Sequence, residues 1–349
     1  MVNIVRGPSK APFRAVVYGG VKTGKTTFAS GAPGAVLLSG EGGEGQIDCA
    51  RLVFESYKAK DPVTGETRVV DRFIPKSWDE FMGMLKRLQV EGVPATPGTK
   101  ERTLVIDGFG DIEALCIKNV LATVKDDKNR ALPSLNAQWG IGDGAHLSAM
   151  REAWAIIESI WERQGVNIII TCHERMTKFT DYRGDYMKRA PALNSAAKGD
   201  VAGWLAGWAD VIALVEIESE DVVIGRRGLE KEAIHARRPT GRRLVRLAPD
   251  DSFVAGCRLK GVDSMIVLPH PDVASPWGAF WAQVQAGPLD PAKVRAEFDA
   301  LLALVPETEA EKREKLVAIR DGENSTRAMW QLIQKKKGDA GASTQGKAA

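Results

Sequence analysis

Residues 19–26 are Gly-Gly-Val-Lys-Thr-Gly-Lys-Thr, and they directly follow the apolar run Ala15-Val16-Val17-Tyr18. The run predicts a buried strand, and the residues from Thr26 onward can open a helix. Between a strand and a helix, the pattern GxxxxGK[ST] is typical of a loop whose backbone N–H groups face phosphate oxygens. In such a loop Lys25 can reach the β- and γ-phosphates of a nucleotide, and the Thr26 hydroxyl can bind Mg²⁺. The predicted nucleotide-binding residues are Gly19, Gly20, Val21, Lys22, Thr23, Gly24, Lys25, Thr26 and Thr27.

Two carboxylates complete the predicted site, each just after an apolar run. Asp107 closes the run Leu104-Val105-Ile106, and we expect it to help Thr26 hold the metal. Glu41 follows the run at 35–38, where a carboxylate can polarise the water that attacks the γ-phosphate. The sequence therefore predicts ATP and Mg²⁺ as cofactors and ATP hydrolysis as the reaction.

Apolar runs and helical patterns alternate along the first two thirds of the chain. Short runs of β-branched and aliphatic residues that end at Gly, Asp or other polar residues are typical of strands buried on both faces. Helical patterns lie between several of them, as at 79–90 and 145–163. This alternation predicts an α/β fold with a mostly parallel sheet flanked by helices. The five runs are residues 15–18, 35–38, 103–106, 166–171 and 211–215, and shorter strands are expected at 222–224, 232–236, 244–247 and 265–268.

The domain organisation follows from changes in composition. We expect an ATPase core over residues 1–268 and a Pro-rich connection over 269–290. A small α-helical region is expected over 291–337, beginning at the N-cap Asp290 before Pro291. Residues 338–349 are rich in Gly, Ala, Ser and Lys and are expected to be disordered.

Composition excludes several classes of protein. The 349 residues are 44% hydrophobic with a net charge of +3, so the chain is no histone-like polycation. No apolar stretch is long enough to predict a membrane span, and the first residues have no signal-peptide core. The four cysteines are widely spaced, which fits a reducing cytoplasm. We therefore expect a cytoplasmic protein without a membrane partner.

Taken together, these motifs resemble the RecA-like P-loop ATPases, and in particular phage-encoded RecA-type recombinases and single-strand-annealing ATPases. The resemblance extends over about residues 13–217. In it, 37–41 is similar to the family strand that ends in a water-activating glutamate, and 104–108 is similar to Walker B. The segment 141–143, before a helix, is similar to the one after the family's first DNA-binding loop. The strand 168–173 ends at His173, where the family places a γ-phosphate sensor that is glutamine in bacterial RecA.

The resemblance implies catalytic roles for Lys25, Glu41 and His173. It also implies that the segment 174–199 takes the place of the second DNA-binding loop, where cations and interleaved aromatics suit single-stranded DNA. The candidate DNA-binding residues are Lys178, Arg183, Lys188, Arg189 and Lys198. The partners implied are single-stranded DNA, further copies of the chain in a ring or filament, and a single-strand-binding or replication protein. A phage-encoded chain of this kind would act in the host cytoplasm in recombination, annealing or replication, with DNA-stimulated ATP hydrolysis.

Seven arginines lie between residues 226 and 246. One interpretation is an arginine that reaches the γ-phosphate of a neighbouring subunit, with Arg237 and Arg238 as candidates. The other interpretation is a contact with the nucleic-acid backbone. Two alternatives to the DNA-acting ATPase also stay open: an ATPase switch or motor that acts on a protein partner, and a P-loop kinase for a small molecule.

Overall fold

A computed structural model describes residues 12–42, 44–60, 66–182, 184–196, 199–227, 232–286, 290–306, 310–322, 326, 328–330 and 332–333. The strands are β1 (Arg14–Gly19), β2 (Ala35–Ser39), β3 (Ala50–Arg51), β4 (Glu55–Lys60), β5 (Thr67–Arg72), β6 (Thr103–Asp107), β7 (Asn167–Asp181), β8 (Gly184–Pro191), β9 (Ser195–Ala196), β10 (Gly199–Asp200), β11 (Val211–Arg227), β12 (Glu232–Arg246), β13 (Gly256–Cys257) and β14 (Met265–Leu268). The helices are α1 (Lys25–Ser30), α2 (Trp78–Glu91), α3 (Phe109–Thr123), α4 (Ala137–Gln164), α5 (Val201–Trp208), α6 (Pro276–Ala286), α7 (Pro291–Ala303) and α8 (Ala310–Asp321).

The main sheet has the strand order β14-β12-β11-β1-β7-β6-β2-β3. Strand β1 lies in its middle and pairs in parallel with both neighbours, so that Tyr18 is opposite Cys172 on β7 and Leu214 on β11. The pairs β6–β7, β2–β6 and β2–β3 are also parallel, whereas β12 runs antiparallel to β11 and β14. All five predicted runs are strands of this sheet, and the α/β class with a mostly parallel sheet is confirmed.

Both faces of the central strands are buried. On one face, Tyr18, Leu38 and Ile106 belong to a core cluster with α2, α3, α4 and α5, including Phe81 and Trp154. The opposite face carries α1 and the start of α6. There Val17, Phe28 of α1 and Trp277 of α6 line one apolar space. The chain therefore buries its apolar runs on both sides, as their composition predicts, and the polar chemistry is left to the strand ends.

Two hairpins extend beyond the main sheet. Strand β11 continues without interruption from Val211 to Arg227, where short separate strands were expected at 211–215 and 222–224. Its pairing with β12 satisfies the backbone through the polar segment 216–221, so no loop is needed there. Strand β7 likewise continues past the sheet and pairs with β8 from Glu174 to Asp181. The segment 174–199, which the resemblance places at a DNA-binding loop, is thus largely a pair of antiparallel strands, with β7 continuing to Asp181 and β8 extending from Gly184 to Pro191.

Two compact units divide the chain: one takes in residues 1–259 and 263–282, the other residues 260–262 and 283–349. The first unit includes Trp277 and Phe280, both 1% exposed. In the second unit Asp290 accepts hydrogen bonds from the backbone of Ala292 and Lys293 and caps α7, as predicted. Val294 and Phe298 of α7 form a small core with Met329 and Ile333. The predicted tail, 338–349, lies outside the described residues. No helix in the described ranges is long and apolar enough to cross a membrane.

Candidate nucleotide-binding site

The loop between β1 and α1 depends on glycine at two positions. A side chain on Gly19 would overlap the carbonyl oxygen of Val215 on the neighbouring strand β11. Gly24 has φ +96°, a left-handed conformation that costs little only for glycine. The two glycines therefore allow the chain to turn sharply from the end of β1 into α1, as the motif requires.

Lys25 lies across the mouth of this loop. Its side-chain nitrogen Nζ donates to the carbonyl oxygens of Gly20 at 2.8 Å and Gly19 at 3.2 Å, and the residue is 6% exposed. Burial lowers the pKa of the Lys25 ammonium, and the carboxylates of Glu41 and Asp107 oppose that effect. The Lys25 ammonium is thus held, by two backbone carbonyls and two nearby carboxylates, at the place where the motif predicts the phosphate oxygens of a nucleotide.

Thr26 and Asp107 meet at the end of β6. The Thr26 hydroxyl donates to both Asp107 carboxylate oxygens, at 3.0 and 3.1 Å, and Asp107 is 1% exposed. The hydroxyl of Thr171 on β7 donates to the same carboxylate at 2.5 Å and accepts the backbone N–H of Gly108 at 3.0 Å. A threonine hydroxyl beside a carboxylate is a set of hard oxygen donors of the kind that Mg²⁺ prefers. The residues present fit the predicted metal.

His173 connects Lys25 to Glu41. Its Nδ1 lies 3.5 Å from Lys25 Nζ, and its Nε2 lies 3.2 Å from a Glu41 carboxylate oxygen. Because an ammonium can only donate, Nδ1 accepts from Lys25, and a neutral ring then carries its proton on Nε2 and donates it to Glu41. Gly108 makes room for this arrangement, since a Cβ there would lie 2.7 Å from Glu41 Cγ. The glutamate is thus oriented by a residue that also contacts the loop lysine.

Strand register brings these groups together. Gly19 is opposite His173 in the β1–β7 pair, and Ser39, two residues before Glu41, is opposite Asp107 in the β2–β6 pair. The carboxyl ends of four adjacent parallel strands therefore meet at one edge. At this edge the structure places every catalytic and metal-binding residue predicted from the sequence: Lys25, Thr26, Glu41, Asp107 and His173.

Sequence reasoning missed two members of the site. Thr171 belongs to the predicted run 166–171, and nothing in the sequence indicates that its hydroxyl contacts the Asp107 carboxylate. Asp111, in the first turn of α3, lies near Glu41, and partial burial together with the charge of Glu41 raises the pKa of the Asp111 carboxyl. No motif marks Asp111, because only the fold places the start of α3 beside the end of β2.

Three of the candidate DNA-binding residues, Lys178, Lys188 and Arg189, lie on the β7–β8 hairpin, where they differ in their surroundings. Phe179 is opposite Tyr186, with stacked rings 6.1 Å apart, and Lys188 lies over the Tyr186 ring on the same face. Lys178, on the other face, forms an ion pair with Asp185. Arg189 forms an ion pair at 2.7 Å with Glu216 of β11. Arg183 and Lys198 lie outside the described residues.

The candidate arginines for a neighbouring subunit lie far along the β11–β12 hairpin. Arg237 is 82% exposed and lies 3.8 Å from Asp221, and Arg238 is exposed as well. Nearer the sheet, Arg242 is 3.2 Å from Glu218, and Arg246 is paired with Glu216. Arg237 and Arg238 are therefore exposed to solvent, whereas Arg242 and Arg246 form ion pairs within the hairpin.

A glycine loop between a central strand and a helix, with a buried lysine, a Thr–Asp pair and a glutamate at adjacent strand ends, defines a P-loop nucleotide-binding domain. A family model described as an AAA domain matches residues 11–259, and the chain belongs to that family. The match includes the whole site and both hairpins. No curated protein matches the chain.

Proposed function

We propose that the protein binds and hydrolyses ATP and acts on single-stranded DNA as a RecA-like, oligomeric ATPase. The observation that carries the ATPase part is the convergence of Lys25, the Thr26–Asp107 pair and the Glu41–His173 pair at one edge of the sheet. P-loop ATPases need a cation, a metal-binding pair and a group that positions water within one site. This edge holds all three.

Each residue has a role that follows from its contacts. Lys25 exchanges the carbonyls of Gly19 and Gly20 for phosphate oxygens, which compensate its charge better than carbonyl dipoles do. Thr26 and Asp107 are the residues that would hold Mg²⁺, and a bound ion would neutralise charge that develops on the phosphates. Glu41 accepts the proton of the attacking water, and His173 orients the glutamate by donating from Nε2.

His173 also offers a route from nucleotide to the hairpin. It lies on β7 next to Glu174, where pairing with β8 begins. A change in the hydrogen bonds of His173 on nucleotide binding acts on the first residues of that hairpin. This continuity supports the proposal that nucleotide alters DNA affinity, since both sites share one strand.

The DNA part of the proposal is supported by the β7–β8 hairpin. One face carries the Phe179–Tyr186 stack with Lys188 beside it, which combines aromatic surface for unpaired bases with a cation for the backbone. Assembly into a ring or filament is part of the proposal, with Arg237 and Arg238 as the exposed cations that reach a neighbouring site. The phage-type role in recombination, annealing or replication is proposed on the resemblance alone.

The test is phosphate release from ATP by the full chain, with and without single-stranded DNA, alongside fluorescence anisotropy of a labelled oligonucleotide. We expect hydrolysis that DNA stimulates, and DNA affinity that rises with a non-hydrolysable ATP analogue and falls with salt. Hydrolysis without DNA binding would favour an ATPase that acts on a protein partner. Transfer of phosphate to a small molecule with little free phosphate would favour a kinase. No nucleotide binding at all would refute the proposal.

A further inference from the structure

Arg243 lies against the nucleotide loop of its own chain. A Cβ built on Gly24 would lie 3.4 Å from both Cδ and Nε of Arg243 and 3.8 Å from its Cζ. These are van der Waals distances, so the Arg243 side chain packs directly beside Gly24. Strand register explains the position: Arg243 is opposite Ile217, two residues beyond Val215, and Val215 lies against Gly19 at the end of β1.

Arg243 differs from the paired arginines of the same hairpin. Arg242, Arg246 and Arg237 each lie within 4 Å of a carboxylate on β11. Arg243 points to the opposite face from Arg242 and Arg246, because side chains alternate along a strand. Within the described part of the chain, its guanidinium makes no hydrogen bond or ion pair. Its charge is thus directed at the loop and is available to an anion there.

The two sides of β1 serve different parts of the loop. Glu41, Asp107 and His173 come from β2, β6 and β7, all on one side of β1, whereas Arg243 comes from β12 on the other side. The residues proposed to act in hydrolysis lie on the first side, so the terminal phosphate of the nucleotide is expected there. The phosphates nearer the nucleoside are then expected on the second side, next to Arg243.

We propose that Arg243 binds the α- and β-phosphates of the nucleotide held by its own chain, an inference that rests on the proposed ATP-binding function. Guanidinium and phosphate form paired N–H···O bonds, which are stronger than neutral ones. Arg243 is therefore a binding residue in cis, distinct from the Arg237 and Arg238 proposed to act in trans. Since ADP and ATP share the α- and β-phosphates, Arg243 contributes equally to the binding of both.

The test is isothermal titration calorimetry of the full chain with Mg²⁺ and either ADP or a non-hydrolysable ATP analogue. We expect Arg243→Ala to weaken both ligands about 10- to 100-fold, the range for a lost hydrogen bond to a charged group. Arg243→Lys should weaken binding less than Arg243→Ala, because lysine keeps the positive charge but lacks the planar guanidinium that can donate two parallel hydrogen bonds. The matched control is Arg242→Ala, which removes a neighbouring charge from the other face and leaves affinity unchanged. Thermal unfolding checks that each variant is folded.

Three results would overturn the inference. The first is wild-type affinity in Arg243→Ala. The second is a loss for the ATP analogue alone, which would place Arg243 at the γ-phosphate. The third is recovery of affinity when Arg243→Ala is mixed with Lys25→Ala, because only an arginine acting in trans can complement a chain with an intact loop. If the wild type binds neither ligand, the proposed function itself fails, and this outcome is separate from the other three.

Discussion

The edge of the sheet and the two hairpins beyond it use charge in different ways. At the edge, the polar groups belong to different elements and contact each other at fixed distances: Lys25 with His173, His173 with Glu41, and Thr26 with Asp107. In the hairpins, most cations pair with acids of a neighbouring strand, as Lys178 does with Asp185 and Arg242 with Glu218. The edge brings charged and polar groups from several elements into one place, while the hairpins hold much of their charge in internal pairs.

This difference limits what the number of basic residues in a segment can predict about its binding partner. A segment rich in Lys and Arg suggests an anionic partner only to the extent that its cations are free of local carboxylates. On the β7–β8 hairpin the face with Phe179, Tyr186 and Lys188 meets that condition better than the face with Lys178. Variants at the edge should therefore have large effects, and variants in the hairpins small and face-dependent ones.

The largest effect is expected for Lys25→Met, which keeps the length of the side chain and removes its charge. Hydrolysis should be abolished and most nucleotide affinity lost, because the motif directs this lysine at the β- and γ-phosphates of the nucleotide. Burial of the lysine lowers its pKa, so removing the charge should not destabilise the fold. The measurements are phosphate release, nucleotide titration and thermal unfolding.

A suitable control for this variant is Lys86→Met on α2, where the lysine is 60% exposed and pairs with Glu152. It removes the same charge outside the site and should turn over ATP normally. Turnover by Lys25→Met at the rate of this control would contradict the role of the loop.

The next largest effect is expected for Glu41→Gln. Hydrolysis should slow by about 10²–10⁴-fold, the contribution of a general base, while nucleotide affinity is retained. Single-turnover hydrolysis and nucleotide titration separate the two quantities. Asp111→Asn, which removes the acid near Glu41, should have a smaller effect on rate and shift its pH dependence. If Glu41→Gln hydrolyses ATP at the wild-type rate, another group positions the water.

The edge was largely predictable from the sequence, and the reason is geometric. A parallel strand buried on both faces is a continuous apolar run, so its end is visible as the first polar residue, as with Asp107. Adjacent strand ends must then meet. The partners Thr171 and Asp111 were not predictable, because their roles depend on which strand and helix lie side by side. The pairing of Arg189 with Glu216 joins residues 27 positions apart and has no local signal.

A buried acid on α3 gives a prediction whose expected effect is of intermediate size. Glu113 of α3 is 5% exposed and accepts the backbone N–H of Asn194, and burial raises its pKa to about 7. In the unfolded chain the carboxyl titrates near its ordinary value, so the folded state binds the extra proton between the two values. The contribution of Glu113 to stability is therefore full at low pH and is lost as pH rises through about 7.

The change at this position is Glu113→Gln, which resembles the protonated acid. From pH 4 to pH 8 the wild type should lose up to about 3 kcal/mol relative to the variant, at about 1.4 kcal/mol for each unit of pKa shift. His146 of α4 contacts Glu113, and Cys116, Asp143 and Arg175 lie near the pair. Burial lowers the pKa of His146, which acts in the opposite direction, so the difference between the two proteins is the quantity to measure. A difference in unfolding free energy that does not change with pH would contradict the assignment.

The smallest effect is expected in the β7–β8 hairpin, and it distinguishes its two faces. Lys188→Ala should weaken binding of a single-stranded oligonucleotide several-fold and reduce the slope of affinity against salt by about one charge. Lys178→Ala should have a smaller effect, because Lys178 already pairs with Asp185 and faces away from the aromatic stack. Anisotropy titrations over a range of salt concentrations measure both. Among the described residues, Lys188 makes no carboxylate ion pair, although its ammonium donates to the Asp250 carbonyl oxygen at 2.9 Å. Equal losses in the two variants would mean that only the net charge of the hairpin matters, and that an ion pair with a neighbouring carboxylate does not lower a cation's contribution to DNA binding.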